Sequence, residues 1–172
     1  MAGTTLIVFG GLPGTGKTTL ARAVAAEWAA VYIRIDTLEQ ALRGSGVLAG
    51  GVGPAGYVLG YAIARDNLLL GRNVVADSVN PLEITRHAWR EVATAAGAEC
   101  VEIEVICSDA GEHRRRVETR DADISGHRLP TWQDVIEREY EPWTRTRLLV
   151  DTAGRSVAEA LRTILSRARI SP

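Results

Sequence analysis

The chain has 172 residues, a length that suits one globular domain spanning 1–172 with a single hydrophobic core. Hydrophobic residues make up 46% and charged residues 24%, and the formal net charge is -1, so bulk charge does not draw the protein to nucleic acid or to a membrane. No apolar run approaches the roughly 20 residues that span a bilayer, and the N-terminus lacks the basic-then-apolar order of a signal peptide. We therefore expect a cytoplasmic protein; the sequence gives no indication of its oligomeric state.

Strand and helix patterns alternate along the first half of the chain. The sequence predicts a strand over 4–9, then a helix containing Leu20, Val24 and Trp28, and then a strand over 31–35. A helix over 38–43 and a glycine-rich loop over 44–56 follow. Next come an apolar helix over 57–70, which is predicted to be buried on most sides and to end at Gly71, and a strand over 73–76.

The alternation continues in the second half. The sequence predicts a helix capped by Asn80 and ended by Gly97, and then a strand over 100–107. A polar segment over 121–130 follows a helix that carries Arg114, Arg115, Arg116 and Arg120. The last elements are a helix opened by Thr131 that ends before Pro142, a strand over 148–151, and a helix opened by Ser156 with Glu159.

Strands that alternate with helices predict an α/β protein of three layers, in which a parallel five-stranded sheet has helices on both faces. In such a sheet the binding crevice lies at the carboxyl ends of the strands. One strand departs from the apolar pattern, because Glu102 and Glu104 alternate with hydrophobic residues. One face of that strand is therefore expected to meet solvent or basic side chains.

A complete phosphate-binding motif follows the first predicted strand and precedes the first predicted helix. Residues 11–18, Gly-Leu-Pro-Gly-Thr-Gly-Lys-Thr, match the Walker A pattern, in which glycines let the backbone curl around phosphate oxygens. Lys17 is expected to contact the β- and γ-phosphates, and the Thr18 hydroxyl to bind Mg²⁺. The predicted ATP-binding residues of this loop are Gly11, Gly14, Thr15, Gly16, Lys17, Thr18 and Thr19.

The rest of the chain favours a kinase among the many proteins that use this loop. It is short for an ATP-driven machine, and it lacks the Asn-Lys-x-Asp run with which GTP switches read guanine. With its P-loop, its Tyr-Ile-Arg-Ile-Asp run at 32–36 and an arginine-bearing helix before a polar segment, nearly the whole chain resembles the P-loop small-molecule kinase superfamily. The similarity is to the branch that holds chloramphenicol phosphotransferase, gluconate kinase, zeta-type kinases and the kinase domain of polynucleotide kinases.

Two aspartates end predicted strands at the expected site. The resemblance implies that Asp36 accepts the proton of the acceptor hydroxyl; the alternative is an N-cap for a helix that starts at Thr37. Asp77 follows an apolar run as a Walker B aspartate does, which predicts a magnesium ligand. A substrate contact, or a bond to the turn before Asn80, is the alternative for Asp77.

Arginines are expected at the entrance of a lid formed by residues of about 121–131. Arg116 and Arg120 are four residues apart and share a helical face, and the resemblance implies that such arginines pack on adenine and neutralise the transferring phosphate. Arg120 is the third predicted catalytic residue beside Lys17 and Asp36, and Arg128 lies in the lid itself. The alternative is a solvated basic face paired with Glu112, Glu118 and Asp121.

The resemblance places the acceptor region at about 37–72. Few cationic side chains lie there, Arg43 and Arg65 among them, so we expect a small hydroxyl-bearing acceptor that is not polyanionic, such as a metabolite or an antibiotic. Tyr57, Val58, Leu59 and Tyr61 either line an apolar acceptor pocket or belong to the core. The alternative functions are a kinase for nucleotides or nucleic-acid 5'-ends, and a regulatory ATP-binding protein without enzymatic activity.

Overall fold

The structure is a computed structural model that describes residues 3–47 and 51–168. Five strands lie within those ranges: β1 (Thr5–Gly10), β2 (Val31–Arg34), β3 (Val74–Asp77), β4 (Glu99–Ile106) and β5 (Leu148–Asp151). The helices of the same ranges are α1 (Lys17–Glu27), α2 (Ile35–Ser45), α3 (Ala55–Leu69), α4 (Glu83–Ala96), α5 (Ala110–Thr119), α6 (Trp132–Ile136) and α7 (Val157–Arg167).

All five strands are parallel, in the order β2-β3-β1-β4-β5, which confirms the predicted fold. The central strand β1 pairs with β3 on one side and with β4 on the other. Its register places Phe9 beside Asp77, which in turn lies beside Arg34 at the end of β2. The carboxyl ends of β1, β2 and β3 therefore meet at one edge of the sheet, where the loop after β1 begins.

Two apolar layers hold the sheet between its helices. Ile7 and Phe9 point to one face and pack with buried residues of α1 and α7, whereas Leu6 and Val8 point to the other and pack with α3 and α4. All four side chains are 0% exposed. Burying a side chain of this size contributes about 1.5–3 kcal/mol, so this central strand is a large part of the stability of the fold. In the described ranges, no helix combines the length and apolar character needed to cross a membrane.

Helix α3 is buried along one stripe only, so the prediction that it is buried on most sides was wrong. The stripe is made of small residues and one leucine: Gly56, Gly60, Ala64 and Leu68. It lets α2 approach closely, because a Cβ atom on Gly60 would lie 2.6 Å from Ile35 Cδ1. The outer face of α3 exposes large hydrophobic residues: Val58, Leu59, Ile63 and Leu69.

The two tyrosines of α3 are partly buried and pack against the core. Tyr61 packs edge-on against Trp89 with ring centroids 4.6 Å apart, and its hydroxyl donates a hydrogen bond to the Thr85 carbonyl. The Tyr57 hydroxyl accepts one from the Asn80 N–H. Of the two alternatives for these tyrosines, the structure supports the core.

Helix starts differ from the prediction where the chain turns directly out of a strand. Helix α2 begins at Ile35, immediately after β2, with Arg34 as its N-cap residue and no side-chain cap. Asp36 is thus the second residue of the helix, and its interpretation as an N-cap was wrong. Helix α4 begins at Glu83 with Leu82 at the N-cap position, so Asn80 does not cap it.

Asn80 instead connects the β3–α4 loop to the central strand. Its side chain is fully buried; Nδ2 donates to the Phe9 carbonyl at 2.8 Å, and Oδ1 accepts from Trp89 Nε1 at 3.1 Å. Its φ of 49° lies in the left-handed region, which asparagine tolerates better than most residues. The neighbouring Val79 carbonyl accepts from the Gly11 N–H at 3.0 Å, so the whole turn supports the end of β1.

The two glutamates of β4 are buried and paired with arginines, as the alternation in that strand predicted. Glu102 accepts from Arg90 Nη1 at 2.9 Å, and Glu104 from Arg147 Nε at 2.6 Å. Tyr140 and Trp143 lie over the same strand end: the Trp143 indole donates to the Tyr140 hydroxyl at 2.8 Å. A buried carboxylate needs such partners, because leaving it unpaired would cost several kcal/mol.

Replacement of Asn80 by alanine should destabilise the fold by about 2 kcal/mol, because the Trp89 N–H and the Phe9 carbonyl lose a buried partner. Asn67→Ala is the matched control, since its side chain bonds the Ile63 carbonyl on the exposed surface of α3. We expect Asn67→Ala to cost less than about 0.5 kcal/mol. Urea unfolding measures both values; equal losses in the two variants would contradict the role given to Asn80.

Candidate functional site

The loop between β1 and α1 has the geometry of a phosphate-binding backbone. Gly11, Gly14 and Gly16 have φ values of 142°, 83° and 92°, which side chains rarely permit. A Cβ atom on Gly11 would lie 2.2 Å from the Val105 carbonyl oxygen, and one on Gly14 would lie 2.4 Å from Val117 Cγ2. Because Gly16 also leaves the start of α1 without a side-chain cap, the first N–H groups of that helix are available to an anion.

Neighbouring elements hold the outer side of this loop. His113 Nε2, on α5, lies 2.8 Å from the Pro13 carbonyl oxygen, and the His113 ring meets the edge of Trp132 at 5.2 Å. The Thr152 hydroxyl lies 2.8 Å from the Thr15 carbonyl oxygen. Neither His113 nor Thr152 was predicted from the sequence, since each supports the loop from more than 95 residues away.

Lys17 is the first residue of α1 and the only lysine in the chain. Its side chain is buried, and it forms no ion pair within residues 3–47 and 51–168. Burial lowers the pKa of Lys17, Asp77 and Asp36 oppose this shift, and Arg120 and Arg34 reinforce it. An ammonium group without a protein partner inside this ring of charges is suited to bind phosphate.

Asp77 is buried at the end of β3 with one oxygen in use and one free. Tyr32 donates its hydroxyl proton to Asp77 Oδ2 at 2.7 Å, and burial together with Asp77 raises the pKa of Tyr32. Oδ1 is buried and has no hydrogen-bond partner among the described residues. An orphaned carboxylate oxygen beside the P-loop fits a magnesium ion or a water bound to it.

Asp36 is more open than Asp77. It lies in the first turn of α2, with its side chain 36% exposed and Oδ2 3.7 Å from Arg34 Nη2. It also acts on the pKa of Lys17 and of Arg120, so it faces the same centre as both cations. The site thus combines one closed carboxylate and one carboxylate that a ligand can reach.

The two arginines predicted on one helical face line the same pocket but differ in what they contact. Arg120 lies one residue beyond α5 as its C-cap, with Nε buried and unpartnered among the described residues; burial lowers its pKa. Arg116 is already engaged, because it donates to the Thr152 hydroxyl at 2.8 Å and to the Thr152 carbonyl at 3.0 Å, and it pairs with Glu112. Arg120 is therefore the freer of the two.

A pocket of about 570 Å³ lies between the P-loop, α5 and the β5–α7 loop, a volume in the range of small-molecule sites. Its basic wall consists of Lys17, Arg22, Arg34, Arg116, Arg120 and Arg155. Thr18 and Thr19 line it as well, at the start of α1. In the described ranges, no group of three or more His, Cys, Asp or Glu side chains is placed to hold a metal by itself.

The segment 121–130, which contains no helix or strand, crosses this pocket. Asp123 Oδ2 lies 2.7 Å from both Arg22 Nη2 and Arg34 Nη1, and a Cβ atom on Gly126 would lie 3.0 Å from Gln40 Nε2 on α2. Arg34, Arg22 and Asp123 were not predicted as site residues. A lone arginine in the apolar run at 31–35 was the one sequence signal for Arg34.

Residues 6–139 match the protein family described as AAA domain. No curated protein matches the sequence. Among solved structures, a candidate kinase from Chloroflexus aurantiacus is similar with a TM-score of 0.77 at 21% identity, over 98% of both chains.

Two further solved structures are similar and hold nucleotide ligands. The APS kinase CysC of Mycobacterium tuberculosis, in complex with AMPPNP and APS, has a TM-score of 0.72 at 20% identity over 97% of this chain and 98% of its own. Kti12 of Chaetomium thermophilum, in complex with ADP-AlF3, has a TM-score of 0.71 at 23% identity over 97% and 100%. These similarities show a P-loop kinase-like fold.

Lys17→Ala should weaken MgATP binding by about tenfold to a hundredfold, the equivalent of losing a hydrogen bond to a charged group. The melting temperature should be unchanged or higher, because the ammonium group is desolvated without an ion pair. Isothermal titration calorimetry and thermal melting test the two statements on the same sample. Unaltered nucleotide affinity would remove Lys17 from the site.

Proposed function

The chain belongs to the AAA domain family, and from this membership and the geometry of the P-loop pocket we propose that it is an ATP-dependent kinase for a small molecule that bears a hydroxyl group. One observation carries the proposal. Lys17 shares its pocket with Arg34 and Arg120, and Arg34 lies 3.7 Å from the Asp36 carboxylate and 3.9 Å from that of Asp77. A site of this composition matches what phosphoryl transfer requires, namely charge stabilisation and positioning.

Binding of the nucleotide is assigned to the loop and the start of α1. We assign the phosphates to the N–H groups between Gly11 and Thr19, in a cradle that side chains would fill, and to the Lys17 ammonium. Thr18 and the free oxygen of Asp77 would hold Mg²⁺. When bound, MgATP supplies the transferable phosphate, with part of its charge already neutralised.

Proton transfer is assigned to Asp36. Its carboxylate is partly exposed, so it can orient the acceptor hydroxyl and take its proton as the oxygen bonds to phosphorus and ADP leaves. Asp77 is less suited to this step, because one oxygen already accepts from Tyr32 and the side chain is fully enclosed. The two aspartates thus take the roles of base and metal ligand.

Arg120 and the segment 121–130 complete the assignment. The unpartnered Nε of Arg120 and its lowered pKa describe a cation that an anionic ligand would stabilise. Arg116, held by Thr152 and Glu112 beside Gly16, would form the wall on which adenine packs. The segment 121–130 would act as a lid that excludes water and so limits wasteful hydrolysis of ATP.

The acceptor is proposed to be neutral or weakly charged. Arg43 pairs with Glu39 at 3.1 Å on α2, and Arg65 and Arg72 are exposed. The guanidinium of Arg34 already faces Asp36, Asp77 and Asp123. Among the described residues of the acceptor region, no cluster of unpaired basic side chains is present that could bind a polyanion. This favours a metabolite or an antibiotic as the acceptor over a nucleotide or a nucleic-acid end.

A phosphorylation screen tests the proposed function. Radiolabelled ATP is supplied with neutral sugars and antibiotic alcohols, with nucleotides, and with 5'-hydroxyl oligonucleotides, and Lys17→Ala serves as the blank. Label on a small alcohol supports the proposal, whereas label on nucleotides or oligonucleotides supports the alternative kinase. Tight MgATP binding without transfer to any class would indicate a regulatory nucleotide-binding protein.

Asp36→Asn should lower transfer to the acceptor found in that screen by about a hundredfold or more, because asparagine cannot accept the proton. MgATP affinity and melting temperature should change little, since the side chain is not a helix cap and is partly exposed. Glu39→Gln is the matched control on the next turn of α2, where Glu39 pairs with Arg43. If Asp36→Asn transfers phosphate at the unmutated rate, Asp36 is not the base.

Arg120→Ala should reduce turnover by about tenfold to a thousandfold, the range for loss of one charge-stabilising donor, with a smaller effect on MgATP affinity. Arg115→Ala provides the comparison, because Arg115 lies on the exposed side of α5. Single-turnover kinetics of both variants separate the chemical step from product release. An unaltered rate in Arg120→Ala would remove Arg120 from the proposed catalytic residues.

A further inference from the structure

Arg34 directs each of its three guanidinium nitrogens at a different carboxylate. Nη1 donates to Asp123 at 2.7 Å, Nη2 lies 3.7 Å from Asp36, and Nε lies 3.9 Å from Asp77. The side chain is 8% exposed, at the end of β2 where the strand turns directly into α2. Only arginine can make this arrangement, since its fork presents fixed donors in several directions and stays charged when buried.

The three contacts are unequal in kind. The contact with Asp123 is a short hydrogen bond, whereas those with Asp36 and Asp77 are longer ion pairs, and Arg34 Nε has no hydrogen-bond partner in the described structure. A guanidinium with one short hydrogen bond and two longer ion pairs takes its orientation from the hydrogen bond. That contact belongs to the segment 121–130, which crosses the pocket.

Asp36 and Asp77 both face Lys17, and Arg34 lies between them. Two carboxylates that share one site repel each other, and a cation placed between them offsets the repulsion and keeps them apart. The proposed roles of the two aspartates require this separation, because one would hold a metal ion and the other would take a proton. The position of the Arg34 guanidinium therefore matters to both.

The contact between the segment and Arg34 does not respond to physiological pH. Hydrogen bonding to Arg34, followed by charge interactions with Arg34 and Arg22, lowers the pKa of Asp123 to about 2. A lowered carboxyl pKa means that the contact is fully present above about pH 3.9 and is lost only as the pH falls towards 2. Near neutral pH, the contact between Asp123 and Arg34 can therefore be made or broken by ligand binding or by movement of the segment, but not by titration of Asp123.

We propose that Arg34 is a positioning residue for phosphoryl transfer: closure of the segment 121–130, through Asp123, fixes its guanidinium in the orientation that keeps Asp36 and Asp77 apart and aligned. This inference rests on the proposed kinase function. With the segment lifted, Arg34 loses its one hydrogen bond to a described carboxylate and is free to close the 3.7 Å gap to Asp36. A direct pair would withdraw that carboxylate from the acceptor, so transfer is restricted to the closed state.

The test compares binding of ADP with binding of ADP plus aluminium fluoride, which mimics the transferring phosphoryl group and needs no acceptor. Arg34→Met should lower the preference for the mimic by about tenfold or more, since it acts on transition-state binding. Arg114→Met is the matched control: it loses a 2.8 Å ion pair with Glu118 on the exposed side of α5, and Arg114 does not line the pocket. Its preference should change by less than about threefold.

Arg34→Lys distinguishes positioning from simple charge balance. Lysine keeps the charge but offers one donor group in place of a fork, so it should restore the melting temperature without restoring the preference for the mimic. Asp123→Asn removes the charge of the tie and should lower the preference in the same direction as Arg34→Met. Arg34→Lys also decides the matter if Arg34→Met does not fold.

The outcomes separate the inference from the function on which it rests. If Arg34→Lys regains the full preference, or if Arg114→Met loses as much as Arg34→Met, then Arg34 contributes only its charge, and the inference is wrong. If the unmutated protein binds ADP but shows no preference for the mimic, the proposed function fails, and the inference fails with it. With the acceptor from the screen, Arg34→Met should lower kcat far more than it raises the KM for ATP.

Discussion

The backbone of the P-loop is held from outside by groups on three other elements, and the whole site depends on that hold. The Gly11 N–H is bound by the Val79 carbonyl, the Pro13 carbonyl by His113, and the Thr15 carbonyl is approached by Thr152. A loop of glycines in the left-handed region has much conformational freedom to lose. These contacts restrict it before any ligand arrives, so the N–H groups at the start of α1 are preorganised for phosphate.

The same contacts link the loop to the parts of the chain that supply charge. His113 and Val117 of α5 touch the P-loop, and α5 leads directly into Arg120 and the segment 121–130. The Asn80 turn connects the end of β1 to the start of α4 behind Asp77. The basic and acidic side chains are therefore carried on elements that pack against the loop itself. A shift of any of these elements would change the geometry of the loop.

Sequence reasoning succeeded where structure is encoded by neighbours in the chain. The P-loop depends on eight consecutive residues, and the helix starts at Thr131 and Ser156 and the stop at Gly97 depend on still shorter stretches; all occur as predicted. Five strands and their parallel arrangement followed from the alternation of patterns. Local rules suffice for these features, because local geometry decides them.

The features that the sequence did not reveal depend on contacts between distant parts of the chain. Arg34 and Asp123 are 89 positions apart, and nothing near either residue indicates that they meet. The sequence around Asn80 predicts a helix cap, but the Asn80 side chain instead forms tertiary hydrogen bonds with Phe9 and Trp89. The apolar composition of α3 indicated burial, whereas the close approach of α2 to its glycines left the other face open.

The presence of a single lysine has a consequence for the ionisation of the whole protein. Burial raises the pKa of all four tyrosines and both cysteines, to about 12 in Tyr57, Tyr140 and Cys100, and it lowers the pKa of Lys17. Arginine does not deprotonate in proteins. The same desolvation that raises the pKa of these acids thus lowers the pKa of the one lysine. The ionisation of the tyrosines and cysteines is therefore shifted away from neutral pH, whereas the ionisation of the lysine in the phosphate loop is shifted towards it.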